Sequence, residues 1–552
     1  MKARLALLLL LLLPALCPPR AVAAVWQWSA PILSATSAET HDHPRAFLWI
    51  PPHCRQLRGV VVGQHNMEEE PILEHPAFRA ALSELGFAEI WVTPGFDLLF
   101  RFDQGAGDHF NDMMKALADQ SGYKELQFVP VVMMGHSAAA SSPWNFAAWN
   151  PSRTLAVLSI SGQWPYYKDP NTPNWGAGTV DGIPGLVSIG EYEWADTRAA
   201  DGLAELKQHP MTPLSMLANP GSGHFDFTDA KIDYLALYLK KAAEYRLPAI
   251  VPLDRPATLK PIDPTKTGWL ADRWQKNGPP RAPAAPVGKY TGDPNDAFWY
   301  FDGELAHATE ALEATYRGKK VDLLGYLQNG KVVDQNAKTH QQVTLQFLPV
   351  GDGMTFKLTG TFIDTVPDGR PVRWTGLPKG SPVSHASGGG PVVISRICGP
   401  VAQVGPDTWA IRFYRMGMDN TKRSNEIWLV ATHPGDDQYR RAVQQSVLHF
   451  PLTNKIGADQ HITFPQIPDQ RLGTRSIDLN ATSDANVPVY YYVREGPAEL
   501  DGDTLKFTSV PPRAKFPVSV TVVAWQWGRS IDPKLKTAPP IERTFHIVKD
   551  GQ

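Results

Sequence analysis

Apolar runs alternate with amphipathic segments over roughly the first half of the chain. Strand-like runs end at turn residues, as in Gly59 to Gly63, and helix-like stretches carry apolar residues three and four positions apart, as in Glu74 to Gly86. Apolar strands that alternate with helices predict a parallel sheet with helices on both faces. We therefore expect an α/β domain over residues 24–250.

The pattern changes after residue 250. Residues 251–296 contain nine prolines and few periodic apolar positions, which predicts a proline-rich linker. One amphipathic helix is predicted over Asp302 to Tyr316, and the short alternating segments around it predict a β-rich domain of unassigned role over 297–465. The remaining segments, over 466–552, have the strand spacing of a β-sandwich.

The N-terminus has the three parts of a secretory signal. Lys2 and Arg4 precede an uncharged apolar run from Leu5 to Leu16, and Ala21-Val22-Ala23 offers small residues for cleavage. The apolar run is shorter than the about 20 residues that span a bilayer, so we predict no membrane span. We expect a signal peptide over 1–23 and a secreted or periplasmic protein.

Charge and cysteine content exclude several classes of protein. Lys and Arg total 53 and Asp and Glu total 55, so the chain lacks the basic excess of a nucleic-acid-binding protein. Cys54 and Cys398 lie outside the predicted signal peptide, and two cysteines are too few for a disulfide scaffold or a cysteine metal site. The sequence leaves open whether they pair, and we predict no metal site.

The segment that says most about chemistry is FVPVVMMGHSAAA, from Phe128 to Ala140. A buried strand leads into a G-x-S-x-A pattern, Gly135 to Ala139, and a helix is predicted to follow. The small residues two positions before and after the serine leave room for a tight turn that raises its hydroxyl above the sheet. We therefore predict Ser137 as a nucleophile and the N–H of Ala138 as an oxyanion donor.

A serine nucleophile needs a base, and the base needs an orienting acid. His224 lies in a glycine-rich loop before a predicted helix, at the carboxyl edge of the expected sheet. The acid is expected shortly after the strand Leu186 to Ile189. The spacing there favours Glu193, and Glu191 and Asp196 are the alternatives.

Other residues are predicted to complete the site. The loop after the strand Val60 to Val62 should supply a second oxyanion donor, the N–H of His65 or Asn66. The Glu68-Glu69-Glu70 run beside this loop is typical of a solvated face. Aromatic residues between the elbow and the acid can stack on sugar or phenolic rings, although such a cluster is also typical of a hydrophobic plug. The side chains predicted to bind substrate are Gln64, His136, Trp164, Tyr166 and Trp175.

The segments VVVGQHN, MMGHSAAA, LVSIGEYE and GSGHFDF follow one another in the order of an oxyanion loop, nucleophile, acid and base. On these motifs, residues 45–250 resemble the α/β-hydrolase superfamily, specifically its secreted esterase-like members. The resemblance implies an eight-stranded, mostly parallel sheet, a Ser-acid-His triad and no cofactor. The elbow departs from the commoner pattern at Ala139, where glycine is usual, and the oxyanion loop lacks the His-Gly pair of many members.

A second resemblance covers the C-terminal segments LNATSDANVPVYYYVREGPAEL and SVTVVAWQWGR, which are similar to a bacterial immunoglobulin-like domain. Such a domain implies a spacer, an attachment module or a carbohydrate-facing unit.

The favoured hypothesis is a secreted serine hydrolase that cleaves carboxylic esters through Ser137, His224 and Glu193, with an acyl-enzyme intermediate. Export, the β modules and the aromatic segment favour an ester on a polysaccharide or a plant phenolic. A serine peptidase or amidase with the same triad is one alternative. The other is a catalytically inactive protein of the hydrolase fold that binds carbohydrate or acts as a scaffold.

Overall fold

The computed structural model describes residues 25–167, 169–335 and 343–549. The predicted signal peptide at 1–23 lies outside the described residues. Among those that are described, no helix combines the length and the apolar character that crossing a bilayer requires.

The first half of the chain builds one eight-stranded sheet. In spatial order, the first three strands pair antiparallel and the other neighbours pair parallel. The eight-stranded, mostly parallel sheet that the sequence implies is therefore confirmed. The order across the sheet is β1-β2-β4-β3-β5-β6-β7-β8. The strands are β1 (Trp28–Pro31), β2 (Arg45–Trp49), β3 (Gly59–Gln64), β4 (Phe87–Thr93), β5 (Val131–His136), β6 (Thr154–Ile160), β7 (Gly185–Gly190) and β8 (Leu214–Asn219).

Apolar cores lie on both faces of this sheet. Along β3, Val61 packs into one core, and Val60 and Val62 pack into the other, since successive side chains point to opposite faces. This explains why the central strands are apolar runs without alternation. The helices are α1 (Glu69–Leu73), α2 (Pro76–Leu85), α3 (Ala106–Ser121), α4 (Ser142–Trp149), α5 (Ala195–Gln208), α6 (Asp229–Arg246), α7 (Gly303–Ala314) and α8 (Arg370–Thr375).

The proline-rich segment after α6 contains ordered structure of its own. A small antiparallel sheet has the order β10-β9-β11 and consists of β9 (Trp269–Asp272), β10 (Ala285–Pro286) and β11 (Ala297–Tyr300). The aromatic residues of β11 are buried in the same core as β6 to β8. The Ser215 hydroxyl donates to the carbonyl of Trp299 at 2.6 Å, and the Tyr300 hydroxyl donates to that of Met216 at 2.6 Å. The strand β11, which directly follows the proline-rich segment, therefore extends the first core beyond β8.

Beyond α7 the described chain consists mainly of strands, so the predicted β-rich character of this part of the chain is confirmed. Two four-stranded sheets, β14-β22-β21-β18 and β15-β16-β20-β19, and one three-stranded sheet, β13-β12-β17, form its first part. Their strands are β12 (Leu324–Gln328), β13 (Lys331–Val332), β14 (Val343–Leu345), β15 (Pro349–Val350), β16 (Thr355–Lys357), β17 (Thr359–Phe362), β18 (Val393–Cys398), β19 (Val401–Gly405), β20 (Thr408–Ile411), β21 (Glu426–His433) and β22 (Ala442–His449).

The C-terminal part contains a four-stranded sheet, β24-β31-β30-β27, a three-stranded sheet, β25-β29-β28, and the pair β23-β26. Its strands are β23 (Ile462–Thr463), β24 (Gln470–Arg471), β25 (Ser476–Asp478), β26 (Thr482–Ser483), β27 (Tyr490–Glu495), β28 (Ala498–Asp501), β29 (Thr504–Phe507), β30 (Val518–Trp525) and β31 (Ile541–Val548). This part contacts the first domain where Arg513 forms an ion pair with Glu125 at 2.7 Å.

The two cysteines outside the predicted signal peptide do not pair. Cys54 and Cys398 are both buried and free.

Candidate active site

The turn after β5 has the conformation that the G-x-S-x-A pattern predicts. Ser137 has a φ of +52°, in the left-handed region that residues with a side chain rarely adopt. A Cβ atom at Gly135 would lie 2.0 Å from the carbonyl oxygen of Ala139, so this position needs glycine. A short 3₁₀ turn over Ser137–Ala139 and then α4 follow the strand. The Ser137 hydroxyl thus stands at the carboxyl edge of the sheet.

The structure brings Ser137, His224 and Glu193 into one hydrogen-bonded chain. Ser137 Oγ lies 2.7 Å from His224 Nε2, and His224 Nδ1 is hydrogen-bonded to Glu193 Oε1. When Nδ1–H donates to Glu193, Nε2 is left to accept the proton of the serine hydroxyl. His224 and Glu193 are buried, whereas Ser137 is half-buried. The arrangement can therefore activate a hydroxyl as a nucleophile.

The electrostatics of Glu193 suit an orienting acid. Burial alone would raise the pKa of its carboxyl, but the charge and hydrogen bond of His224, with the N–H of Gly190 at 3.2 Å, lower that pKa to about 2. Glu193 therefore stays ionised and can stabilise a protonated imidazole.

The other two acids considered from the sequence have different partners. Glu191 forms an ion pair with Arg440 and accepts the N–H of Gly221 at 2.9 Å. Asp196 forms an ion pair with Arg373 at 2.8 Å. Of the three candidates, Glu193 is the one that contacts His224.

His136 lies below the triad, in the interior. Burial, with a smaller contribution from the nearby charge of His224, holds its pKa well below the usual range, so the ring is neutral. Its Nε2–H donates to the backbone carbonyl of His224 at 2.8 Å. His136 therefore fixes the loop that carries His224.

The predicted second oxyanion donors are not available in the structure. The N–H of His65 donates to the carbonyl of Val92 at 2.7 Å, and the N–H of Asn66 donates to Glu69 Oε2 at 3.2 Å. The prediction is wrong because the loop after β3 folds back on β4 and α1, and this consumes both donors. Ala138, by contrast, lines the cavity in front of Ser137.

The three consecutive glutamates after this loop are buried, so the expectation of a solvated face is wrong. Glu68 forms an ion pair with Lys231 at 3.0 Å. Glu70 forms ion pairs with Arg396 at 3.3 Å and Arg415 at 3.4 Å. The carboxylate of Glu69 has no such cation partner among the described residues and instead accepts the backbone N–H groups of Asn66, Met67 and His136. Together they attach the loop after β3 to the elbow, to α6 and to the β-rich region.

A cavity of about 230 Å³ opens in front of Ser137. Four of its lining residues were predicted as site residues, and five were not. The missed residues lie at or just beyond the carboxyl ends of β6 and β7 and in the first turn of α5, which is where a parallel sheet places its ligands. Their position after predicted strands could have identified them from the sequence, but their residue types could not. The lining consists of Ser137, Ala138, Ser161, Gln163, Ile189, Glu193, Trp194, Arg198 and His224.

The side chains predicted to bind substrate are absent from the described lining of this cavity, and each packs elsewhere. Trp164 stacks on Phe298 with ring centroids 5.4 Å apart, and Tyr166 stacks on His209 at 3.6 Å. The aromatic cluster is therefore a hydrophobic plug, and its predicted role in binding is wrong. The residues concerned are Gln64, which bonds to the backbone of Asp97, His136, Trp164, Tyr166, and Trp175, which donates to Asn145 at 2.8 Å.

Residues of the β-rich region hold the loops that carry the triad. Arg441 donates to Asp226 and, at 3.0 Å, to the carbonyl of Gly221, on either side of His224. The hydroxyl of Tyr192, next to Glu193, donates to the carbonyl of Arg441 at 2.8 Å. One short segment of the β-rich region thus contacts both the base loop and the acid loop. Sequence spacing held no signal for this contact.

Comparisons with known proteins give distant structural neighbours. No protein family profile matches the chain, and no curated protein matches it in sequence. A dienelactone hydrolase from Anabaena variabilis is 18% identical over 40% of this chain and 96% of its own, with a TM-score of 0.27. Est1E from Butyrivibrio proteoclasticus is 18% identical over 37% and 95%, with a TM-score of 0.25. A ferulic acid esterase is 12% identical over 39% and 96%, with a TM-score of 0.26. We assign no function from similarities this distant.

Proposed function

We propose that this protein is a serine hydrolase of the α/β-hydrolase superfamily that cleaves carboxylic esters. The observation that carries the proposal is the 2.7 Å contact between Ser137 Oγ and His224 Nε2, with Glu193 bonded to the other ring nitrogen. The strained elbow and the eight-stranded sheet support it, because they place the hydroxyl at the open edge of the sheet.

In the first half of the reaction, Ser137 Oγ attacks the ester carbonyl carbon while His224 Nε2 takes the hydroxyl proton. The bond between that carbon and the alcohol oxygen then breaks, and His224 returns the proton to the leaving alcohol. Water attacks the acyl-enzyme by the same route, and this releases the acid and restores the Ser137 hydroxyl. Glu193 stays ionised throughout, in agreement with its lowered pKa.

The N–H of Ala138 is the proposed donor to the tetrahedral oxyanion. Ala138 lies next to the nucleophile, at the start of a short helical turn, and lines the cavity. Such a donor typically lowers the barrier by about 3–4 kcal/mol.

We further propose that the protein is exported, that it carries an immunoglobulin-like C-terminal module and that its ester is linked to a polysaccharide or a plant phenolic. The apolar N-terminal run and its small-residue cleavage motif support export. The strand content of residues 466–549 supports an immunoglobulin-like module. Export and the β modules support a polysaccharide or phenolic ester, whereas the aromatic rings pack within the protein and contribute no support.

Hydrolysis of nitrophenyl acetate by the wild type and by Ser137→Ala tests the proposal. We expect the substitution to lower kcat by at least about 10³-fold, because the nucleophile is lost. Ser152→Ala, at an exposed serine, is the matched control and should behave as the wild type. The matched amide, 4-nitroacetanilide, should react much more slowly than the ester. Equal turnover by the wild type and Ser137→Ala would contradict the proposal, and faster cleavage of the amide would favour an amidase.

A further inference from the structure

One charged side chain in the Ser137 cavity has no partner. His224 and Glu193 bond to one another, but the guanidinium of Arg198 makes no hydrogen bond or ion pair with any residue in 25–167, 169–335 or 343–549. Its Nε is shielded from solvent and lacks an acceptor. Buried polar groups in folded proteins are nearly always hydrogen-bonded, so this shielded donor in the cavity wall is available to a polar group that enters the cavity.

The fold fixes the backbone at Arg198 and leaves its charge unsatisfied. The indole N–H of Trp164 donates to the carbonyl of Arg198 at 2.6 Å. One turn later, a Cβ at Gly202 would lie 2.3 Å from the Trp164 ring, so helix α5 lies directly against the indole. The nearby acid Asp196 pairs with Arg373 and not with Arg198.

A second polar group in the cavity is also unsatisfied. The side-chain oxygen of Gln163 is buried and has no hydrogen-bond partner among the described residues. The backbone of Gln163, by contrast, is held by Ser159, whose hydroxyl contacts both its N–H and its carbonyl at 3.0 Å. The cavity therefore presents one cation and one carboxamide, both on fixed backbone, beside the serine hydroxyl.

Resting on the proposed function, we propose that the substrate is a small ester that carries a carboxylate, which Arg198 binds while Gln163 hydrogen-bonds to the same group or the adjacent ester. Guanidinium matches carboxylate with two parallel hydrogen bonds, and these charge-assisted bonds are the strong ones. The volume of about 230 Å³ is below the roughly 300–1,000 Å³ of drug-sized pockets, which favours a short acid such as a succinyl half-ester.

Two pairs of substrates test this proposal and show which side of the ester carries the charge. Mono-4-nitrophenyl succinate and its methyl ester place the carboxylate on the acyl side. 4-Acetoxybenzoate and its methyl ester place it on the alcohol side. We expect the wild type to prefer the acidic member of one pair by roughly 10–100-fold in kcat/KM, mostly through KM.

The variants are Arg198→Met, which removes the charge, and Arg198→Lys, which keeps it. Arg198→Met should bring the acidic-to-neutral ratio close to one, and Arg198→Lys should restore part of it. Arg255→Met, at an exposed arginine beside Asp254, is the control and should keep the wild-type ratio. A ratio near one in the wild type, or a preference that survives in Arg198→Met, would overturn the proposal.

Two measurements separate this proposal from the esterase proposal. One is the binding of succinate, followed by calorimetry, and the other is the loss of ester hydrolysis in Ser137→Ala. Succinate binding that Arg198→Met abolishes, in a protein that hydrolyses no ester, would support the anion site and contradict the esterase function. Hydrolysis that depends on Ser137, without succinate binding and without a preference for the acidic substrates, would support the esterase function and contradict the anion site.

Discussion

The two sides of the triad differ in how their charges are satisfied. On the side away from the cavity, Glu68 pairs with Lys231, Asp226 with Arg441 and Glu191 with Arg440, and all three pairs are largely buried. On the cavity side, Arg198 has no counterion within the part of the chain that the structure describes.

Buried ion pairs contribute little net stability, because desolvation of the two charges offsets most of their attraction. Their value here is positional, since each connects a loop of the site to a second element. The unpaired charge has no such structural use and is left for what enters the cavity. Buried ion pairs in this molecule therefore position the site on one side, whereas the half-buried Arg198 on the other side is the group that we propose recognises the substrate.

The largest expected effect comes from replacing each of two acids in the loop after β7 with glutamine. Glu193→Gln removes the anion that stabilises the imidazolium, so kcat should fall by about 10⁴-fold. Glu191→Gln removes the partner of Arg440, so it should lower Tm while the folded enzyme keeps most of its turnover. Paired measurements of kcat and Tm check this. Unimpaired turnover in Glu193→Gln beside a crippled Glu191→Gln would reverse the assignment of the acid.

A smaller effect is expected from Arg441→Leu, which leaves Asp226 buried without its partner. Breaking a buried pair from one side costs roughly 3–5 kcal/mol. Displacement of the His224 loop by about 1 Å can in addition cost up to about 10²-fold in turnover. Thermal unfolding and kcat report the two effects.

The matched control is Arg373→Leu, which breaks the exposed pair with Asp196. Exposed pairs are worth about 0–1 kcal/mol, so this variant should resemble the wild type. If both variants resemble the wild type, the buried arginine does not hold the His224 loop.

The smallest effect is expected from Glu69→Gln and depends on pH. Burial, reduced by the N–H groups of the loop, raises the pKa of Glu69 from an ordinary 4.5 to about 7. Its favourable contribution is thus complete below pH 4.5 and lost as pH rises through 7, a change of about 3 kcal/mol. Glutamine does not ionise, so the Tm of Glu69→Gln should rise relative to the wild type between pH 5 and 8. A constant Tm difference over that range would contradict the raised pKa.

The parts of the site that the sequence predicts are those fixed by local geometry. The crowding at Gly135 and the φ of Ser137 arise within five residues, so their pattern is visible in the chain. The loops of Glu193 and His224 follow their strands at similarly short range. The aromatic side chains misled because a ring that is suited to stacking on a ligand is equally suited to burial, as at Trp164.

Other parts depend on contacts between distant segments. The pattern gave no signal for β8, where the polar Ser215 and Asn219 interrupt the apolar run, and Ser215 is satisfied by Trp299 of a later strand. Arg441 likewise finds Asp226 only in the folded chain. The free donor of Arg198 could not be predicted, because a missing partner is a property of the whole packed cavity.

Covalent labelling of the nucleophile tests the central claim most directly. The folded protein is treated with a fluorophosphonate, digested and analysed by mass spectrometry beside Ser137→Ala and His224→Gln. The account predicts one phosphonylated site, at Ser137, that is absent in Ser137→Ala and strongly slowed in His224→Gln, because the imidazole must take the hydroxyl proton. Labelling of Ser137→Ala at the wild-type rate, or an unlabelled wild type, would contradict it.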